Sequence, residues 1–145
     1  LAQLSNFLTY RISRAHQKLN TQASKILHDS VGLTLNQWRL VAFIGGAEQV
    51  TASELVKYTS MDKGLVSRNA KSLIESGLVT SCEHEKDSRV HLLRLTPAGK
   101  DVFDKALPRM RRRQAKLQEN LSTEDVATLR RILETLEVAA EDTEI

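Results

Sequence analysis

Apolar residues at Leu4, Phe7, Leu8, Ile12, Ala15, Leu19, Ala23, Ile26 and Leu27 recur at three- and four-residue spacings. That period predicts one long amphipathic helix ending near Gly32. Thr34-Leu35-Asn36-Gln37 then has the form of a capping box, with a Thr oxygen for an exposed amide and a Gln reaching back. The second helix that opens there carries Trp38, Leu40, Val41, Phe43 and Ile44, and is expected to close on a left-handed glycine at Gly45-Gly46. Thr51-Ala52-Ser53-Glu54 repeats the box and starts a short helix to about Tyr58, with Leu55 facing inward. After the turn Thr59-Ser60-Met61, Asp62 caps a fourth helix running to about Ser76, and Gly77 ends it.

The period then changes. Leu78 to His84 and Val90 to Leu95 are short β-compatible runs around the polar tip Glu85-Lys86-Asp87-Ser88-Arg89, which predicts an antiparallel hairpin. Alternation puts Leu93 and Leu95 on one face of it, Leu92 and Arg94 on the other. Thr96-Pro97 supplies a cap and a first-turn proline for a long helix to about Asn120, with a bend expected at Pro108. Ser122-Thr123-Glu124-Asp125 caps the last helix, whose Val126, Leu129, Leu133, Leu136 and Ala140 form a narrow apolar seam.

Two helices joined by so short a turn, followed by a hairpin, read as a winged helix-turn-helix, a DNA-docking module. The expected fold is mainly α with a small β-hairpin wing: a winged helix over 34–99, flanked by helices over 1–31 and 101–145. The apolar stripes of those flanking helices need cover, which one small winged helix cannot give to all three. A homodimer with an isologous interface built from both termini satisfies them; a monomeric bundle is the alternative.

The 145 residues suit one domain, and the low aromatic content of 4% favours helices over a sheet sandwich. The single cysteine, Cys82, excludes an intramolecular disulfide and fits a reducing compartment. No apolar run is long enough to span a bilayer, and Leu1 to Tyr10 lacks the pattern of a signal peptide. The expectation is a soluble cytoplasmic protein without a membrane partner. Net charge is only +3, but residues 57–113 hold thirteen Lys/Arg against seven Asp/Glu, whereas residues 121–145 hold two against seven. The positive field thus sits over the DNA-docking segment, where it steers a polyanion.

In the fourth helix Val66, Ala70 and Leu73 share one stripe, while Lys63, Gly64, Ser67, Arg68 and Lys71 share another. The second stripe has the make-up of a major-groove face, with long donors to reach bases and small residues that let the backbone approach. Arg68 is the candidate base reader, Ser67 and Lys63 can meet bases or phosphates, and Lys71 suits a phosphate. A solvated helix surface is the alternative for this helix taken alone. In the hairpin tip, Arg89 is the candidate probe of a narrow minor groove, with Asp87 as the carboxylate that holds its guanidinium. A protein-interaction scaffold is the competing class, and it predicts no salt-steep DNA affinity. No phosphate-cradling loop, nucleophile elbow or metal-ligand set points to an enzyme, a cofactor or a metal. Cys82 is expected to be a buried, inert thiol, and His84 and His91 to face each other across the hairpin.

Four segments together resemble the MarR family of bacterial transcription regulators over nearly the whole chain. They are Leu33-Thr34-Leu35-Asn36-Gln37-Trp38-Arg39; Ser67-Arg68 with Leu73 and Ser76-Gly77-Leu78-Val79; Asp87-Ser88-Arg89; and Leu95-Thr96-Pro97-Ala98-Gly99. The resemblance implies an obligate dimer on a (pseudo)palindromic double-stranded operator, with the wing arginine in the minor groove and the fourth helix in the major groove. It also implies a regulator, commonly a repressor, released by a small aromatic or anionic effector in a cleft between dimerisation helices and winged helix. His16, Trp38 and Arg39 are the residues it brings forward for that cleft, although the core or surface placement usual for each stands as the alternative.

Overall fold

The computed structural model describes residues 3–144. The elements are α1 (Leu8–Val31), α2 (Leu35–Ala47), β1 (Val50–Thr51), α3 (Ala52–Thr59), α4 (Lys63–Glu75), β2 (Val79–His84), β3 (Asp87–Leu95), α5 (Pro97–Gln118) and α6 (Thr123–Ala139). The chain forms two compact units, residues 1–109 and 110–145, and the boundary falls within α5, one residue past Pro108. Proline there has no N–H for the preceding turn, so the helix ladder is interrupted at that point.

The first helix begins later than its apolar period predicts. A 3-10 turn, Leu4–Asn6, comes first, and Phe7 adopts an extended conformation as the N-cap of α1. The start is therefore set by backbone geometry at Phe7, which makes no side-chain cap bond, and apolar spacing alone carries no record of it. At the other end Gly32 closes the helix at φ +71, its N–H donating to the carbonyls of His28 and Leu27.

Each predicted N-terminal cap is formed. Thr34 Oγ1 accepts from Gln37 N at 3.2 Å while Gln37 Oε1 accepts from Thr34 N at 3.0 Å, and Thr51 and Glu54 repeat the exchange at 3.2 and 2.7 Å. That exchange holds the Glu54 carboxyl below its ordinary range, first through the Thr51 backbone N–H and then through its hydroxyl. Asp62 Oδ1 accepts from Leu65 N at 2.8 Å to open α4. Each satisfies an amide that the helix itself leaves unpaired.

The second helix does not end on its glycine pair. It runs through Gly45 and Gly46 to Ala47, and the residue with positive φ is Glu48, at φ 66 and ψ −43. Gln49 N donates to Ala47 O at 2.8 Å around it, which makes a γ-turn of the positive-φ kind. For a residue with a Cβ such a conformation costs about 1–3 kcal/mol. Gly45 serves packing instead: a Cβ there would lie 2.7 Å from the Phe103 ring of α5 and 3.0 Å from Leu95 of β3.

The wing is part of a three-stranded antiparallel sheet in the order β1-β3-β2. The two-residue strand β1, which the apolar pattern did not reveal, pairs Val50 with Leu93 and Thr51 with Leu92. In the hairpin Val79 faces Leu95 and Glu83 faces His91, but then the register jumps and His84 faces Asp87. Two expectations are corrected by this. Asp87, Ser88 and Arg89 belong to β3 rather than to the tip, and His84 and His91 are not opposite each other. The cause is a bulge at Glu83/His84, a local two-strand device that residue composition does not encode.

The core of the first unit is aliphatic: Leu27, Leu40, Val41, Ile44, Leu55 and Leu73 are fully buried, with Val66 and Val79 nearly so. Leu93 is buried while its neighbours Leu92 and Arg94 are less so, as the alternation predicts. The start of α5 is pressed onto the turn before β2. Thr96 Oγ1 accepts from Gly99 N at 3.0 Å and donates to Gly77 O at 2.6 Å, and a Cβ on Gly99 would fall 1.9 Å from the Leu78 carbonyl oxygen. In the second unit Ser122 and Asp125 form the predicted box at 3.0 Å in both directions, and Leu129 and Leu133 of α6 are exposed.

Candidate nucleic-acid interface

The stripes of α4 separate as their spacing predicts. Val66, Ala70 and Leu73 are buried, whereas Lys63, Ser67, Arg68 and Lys71 are exposed. Buried aliphatic residues fix the helix on its inner face, and Gln37 Nε2 of α2 donates to Ser72 Oγ at 3.0 Å to fix its roll. Gly64 gives the arginine room: a Cβ there would lie 3.1 Å from an Arg68 guanidinium nitrogen and 3.2 Å from Asp62 Oδ1. Arg68 therefore lies back across the first turn of α4, toward its N-terminus. Lys71 sits 3.9 Å from Glu75 one turn on, a long and exposed pair that restrains the lysine little.

On the wing, Arg89 Nε and its backbone N–H both donate to Asp87 Oδ1, at 3.1 and 3.0 Å, and Arg89 Nη2 donates to Oδ2 at 3.3 Å. The arginine side chain is 89% exposed, so the carboxylate orients the guanidinium without covering it. Asp87 is held below the usual carboxylate range, by the Arg89 guanidinium first, then its N–H, with a smaller contribution from His84. Arg89, at the tip end of β3, and the exposed face of α4 are thus two separate cationic elements of one compact unit, the first of them pre-oriented.

The remaining sequence candidates are spread out. Trp38 is 6% exposed and stacks on Phe103, with ring centroids 6.2 Å apart, so it is part of the core. His16 is exposed and its Nε2 meets Asn20 at 3.0 Å, while Arg39 Nη1 donates to Asn36 Oδ1 at 3.1 Å. A cleft among the described residues is lined by none of these three. It has a volume of about 720 Å3 and lies between α3, α4 and β3, with Val66, Ala70, Ile74 and Leu93 among its apolar walls. Lys63, Ser67, Lys71 and His91 line it as well. Sequence reading missed this cleft because it depends on how β3 lies against two helices. The alternation that puts His91 on the same face as Leu93 was its one legible sign.

Cys82 is exposed, contrary to expectation, with Sγ 3.7 Å from Leu92 O. Strand parity explains it, because Cys82 shares the face of Thr80, opposite that of buried Val79. Among the described residues no group of His, Cys, Asp or Glu is placed to hold a metal ion, and no helix is long and apolar enough to cross a membrane.

Residues 31–90, which span α2 through the start of β3, match the family model described as MarR family. The HTH-type transcriptional regulator BilQ of Clostridium symbiosum is 29% identical over 105 residues, covering 72% of this chain and 73% of that protein. Among solved structures, a MarR/EmrR family transcriptional regulator from Acinetobacter sp. ADP1 superposes with a TM-score of 0.83 at 22% identity, over 92% of this chain and 94% of that one. The Mycobacterium tuberculosis transcriptional regulator MOSR, crystallised in complex with DNA, superposes with a TM-score of 0.77 at 28% identity, over 97% of this chain and all of that one (100%). These relatives are transcription regulators. In its winged helix and its Asp62-capped α4, the chain is similar to the MarR family of transcription regulators.

Proposed function

We propose that the protein is a sequence-specific repressor that binds a (pseudo)palindromic operator in double-stranded DNA as a homodimer and is released by a small aromatic or anionic effector. The observation that carries the reading is the pairing, in one compact unit, of an exposed basic face on α4 with a wing arginine braced by Asp87. Arg68 reads a base edge, Ser67 and Lys63 meet bases or phosphates, and Lys71 meets a phosphate. Arg89 enters the minor groove, where the potential is most negative. The DNA complex of MOSR supports this assignment of partner.

The dimer is supported by apolar residues left open to solvent near both termini: Leu8, Ile12 and Leu19 on α1, Leu129, Ile132 and Leu133 on α6. Exposed leucine rows of this kind are the raw material of an isologous interface. The protein works in the cytoplasm, where operator DNA is.

For the effector, the cleft between α3, α4 and β3 favours a second arrangement beside the His16 and Arg39 neighbourhood. Its walls are apolar and it shares Lys63, Ser67 and Lys71 with the DNA face. An amphiphilic anion seated there meets the lysines that phosphates need, so it competes with DNA directly.

The test is fluorescence anisotropy on the protein's own promoter DNA across a salt series, with Arg89→Ala alongside. Tight binding that falls steeply with salt and drops in the variant is expected. Salt-indifferent binding, unchanged in the variant and in DNA selected from a random pool, would instead support a protein-interaction scaffold.

A further inference from the structure

The wing is joined to the helix-turn-helix through a slender strand. β1 has two residues, and its second, Thr51, already serves as the N-cap of α3. So short a ladder specifies its register weakly, yet a slip of one residue would turn Leu93 out of the core. One step beyond Val50 and Leu93, the same register sets Gln49 opposite Arg94. There Arg94 Nε donates to Gln49 Oε1 at 2.9 Å and Arg94 Nη2 donates to the same oxygen. The γ-turn at Glu48 delivers Gln49 to this position directly from the end of α2. A strained turn held beside a two-donor side-chain contact, at the root of a functional strand, calls for a reason.

We propose that Gln49 and Arg94 are positioning residues for the wing: their contact sets the angle at which β3 leaves the helix-turn-helix, and so where Arg89 arrives. The inference rests on the reading of Arg89 as a DNA probe. Arg89 lies five residues along β3 from Arg94, roughly 17 Å at the usual strand rise, so a tilt of about 10° at the root moves it by about 3 Å. A displacement of that size takes a guanidinium out of hydrogen-bonding reach of its groove. Both partners are exposed, so the contact adds little to global stability and acts on placement.

The test compares Gln49→Ala, Arg94→Ala and Gln49→Glu, each alone and combined with Arg89→Ala, by anisotropy on duplex DNA selected from a random pool by the wild-type protein. Gln49→Ala and Arg94→Ala should each weaken binding roughly three- to tenfold, and neither should weaken it further once Arg89 is gone. Gln49→Glu, which keeps an acceptor for Arg94, should retain wild-type affinity. Loss on Arg94→Ala with Gln49→Ala silent would overturn the proposal and make Arg94 a phosphate contact. Undiminished losses in the Arg89→Ala background would overturn it too. Should the wild-type protein bind no DNA, the functional reading fails, and hydrogen exchange of the Val50 and Leu93 amides in the free protein decides the positioning role. Faster exchange in Gln49→Ala and Arg94→Ala supports it; unchanged exchange overturns it.

Discussion

Asp87 grips Arg89 from two positions back on the same strand, taking three hydrogen bonds from it and leaving its outer edge bare. The pair is a positioning device for a cation rather than a stabilising salt bridge, since both groups stand in water. Asp87→Ala should therefore reduce DNA affinity by a smaller factor than Arg89→Ala and leave the melting temperature nearly unchanged. Its pH dependence has a definite sign. The carboxyl is depressed in the folded protein, so the brace is complete above the ordinary aspartate value and is lost only as pH falls through the lower folded value. Affinity measured between pH 8 and pH 5 should show no step from Asp87; a loss beginning near neutrality would contradict the assignment.

Arg68→Ala is expected to cost roughly 1–3 kcal/mol of specific binding per half-site and to relax preference at one operator position. Binding to a library of single-base operator variants reads this directly. Equal loss on every sequence would move Arg68 to the phosphate contacts.

Two glycines make opposite predictions. Gly99→Ala drives a methyl into the Leu78 carbonyl and should destabilise the protein by at least about 1–3 kcal/mol, because backbone on both sides must move. Gly46→Ala meets nothing within 4 Å inside the last turn of α2, and should stabilise by up to about 0.5–1 kcal/mol. Urea denaturation of the two variants beside the parent checks both signs.

Deleting residues from Val126 onward removes the exposed Leu129, Ile132 and Leu133 row of α6 and should abolish the proposed dimer, and operator affinity with it. Sedimentation velocity gives the answer. A truncated chain that still sediments as a dimer would place the interface elsewhere, with α1 the first segment to examine.

Most of this architecture was legible because it is written in local chemistry. Thr34, Thr51, Asp62 and Ser122 each announce a helix by a hydrogen bond confined to three residues, and Val66, Ala70 and Leu73 show by spacing alone which face of α4 is inside. What escaped notice depends on partners distant in sequence. Gly45 looks like a helix terminator until Phe103 and Leu95 are laid over it. Trp38 could be core or surface until Phe103 stacks on it. β1 is too short to have a period, and the bulge that moves Arg89 from turn to strand exists only between two paired strands.

The strand order carries a consequence for synthesis. β3 is the middle strand of the sheet but the last of the three to leave the ribosome, and β1 and β2 touch only it. Neither edge can pair while it waits, so no strand pairing of the sheet precedes β3. A nascent chain interrupted before Asp87 holds all of α4 with neither Arg89 nor a sheet beside it, so the helix is complete before any of the wing can pair.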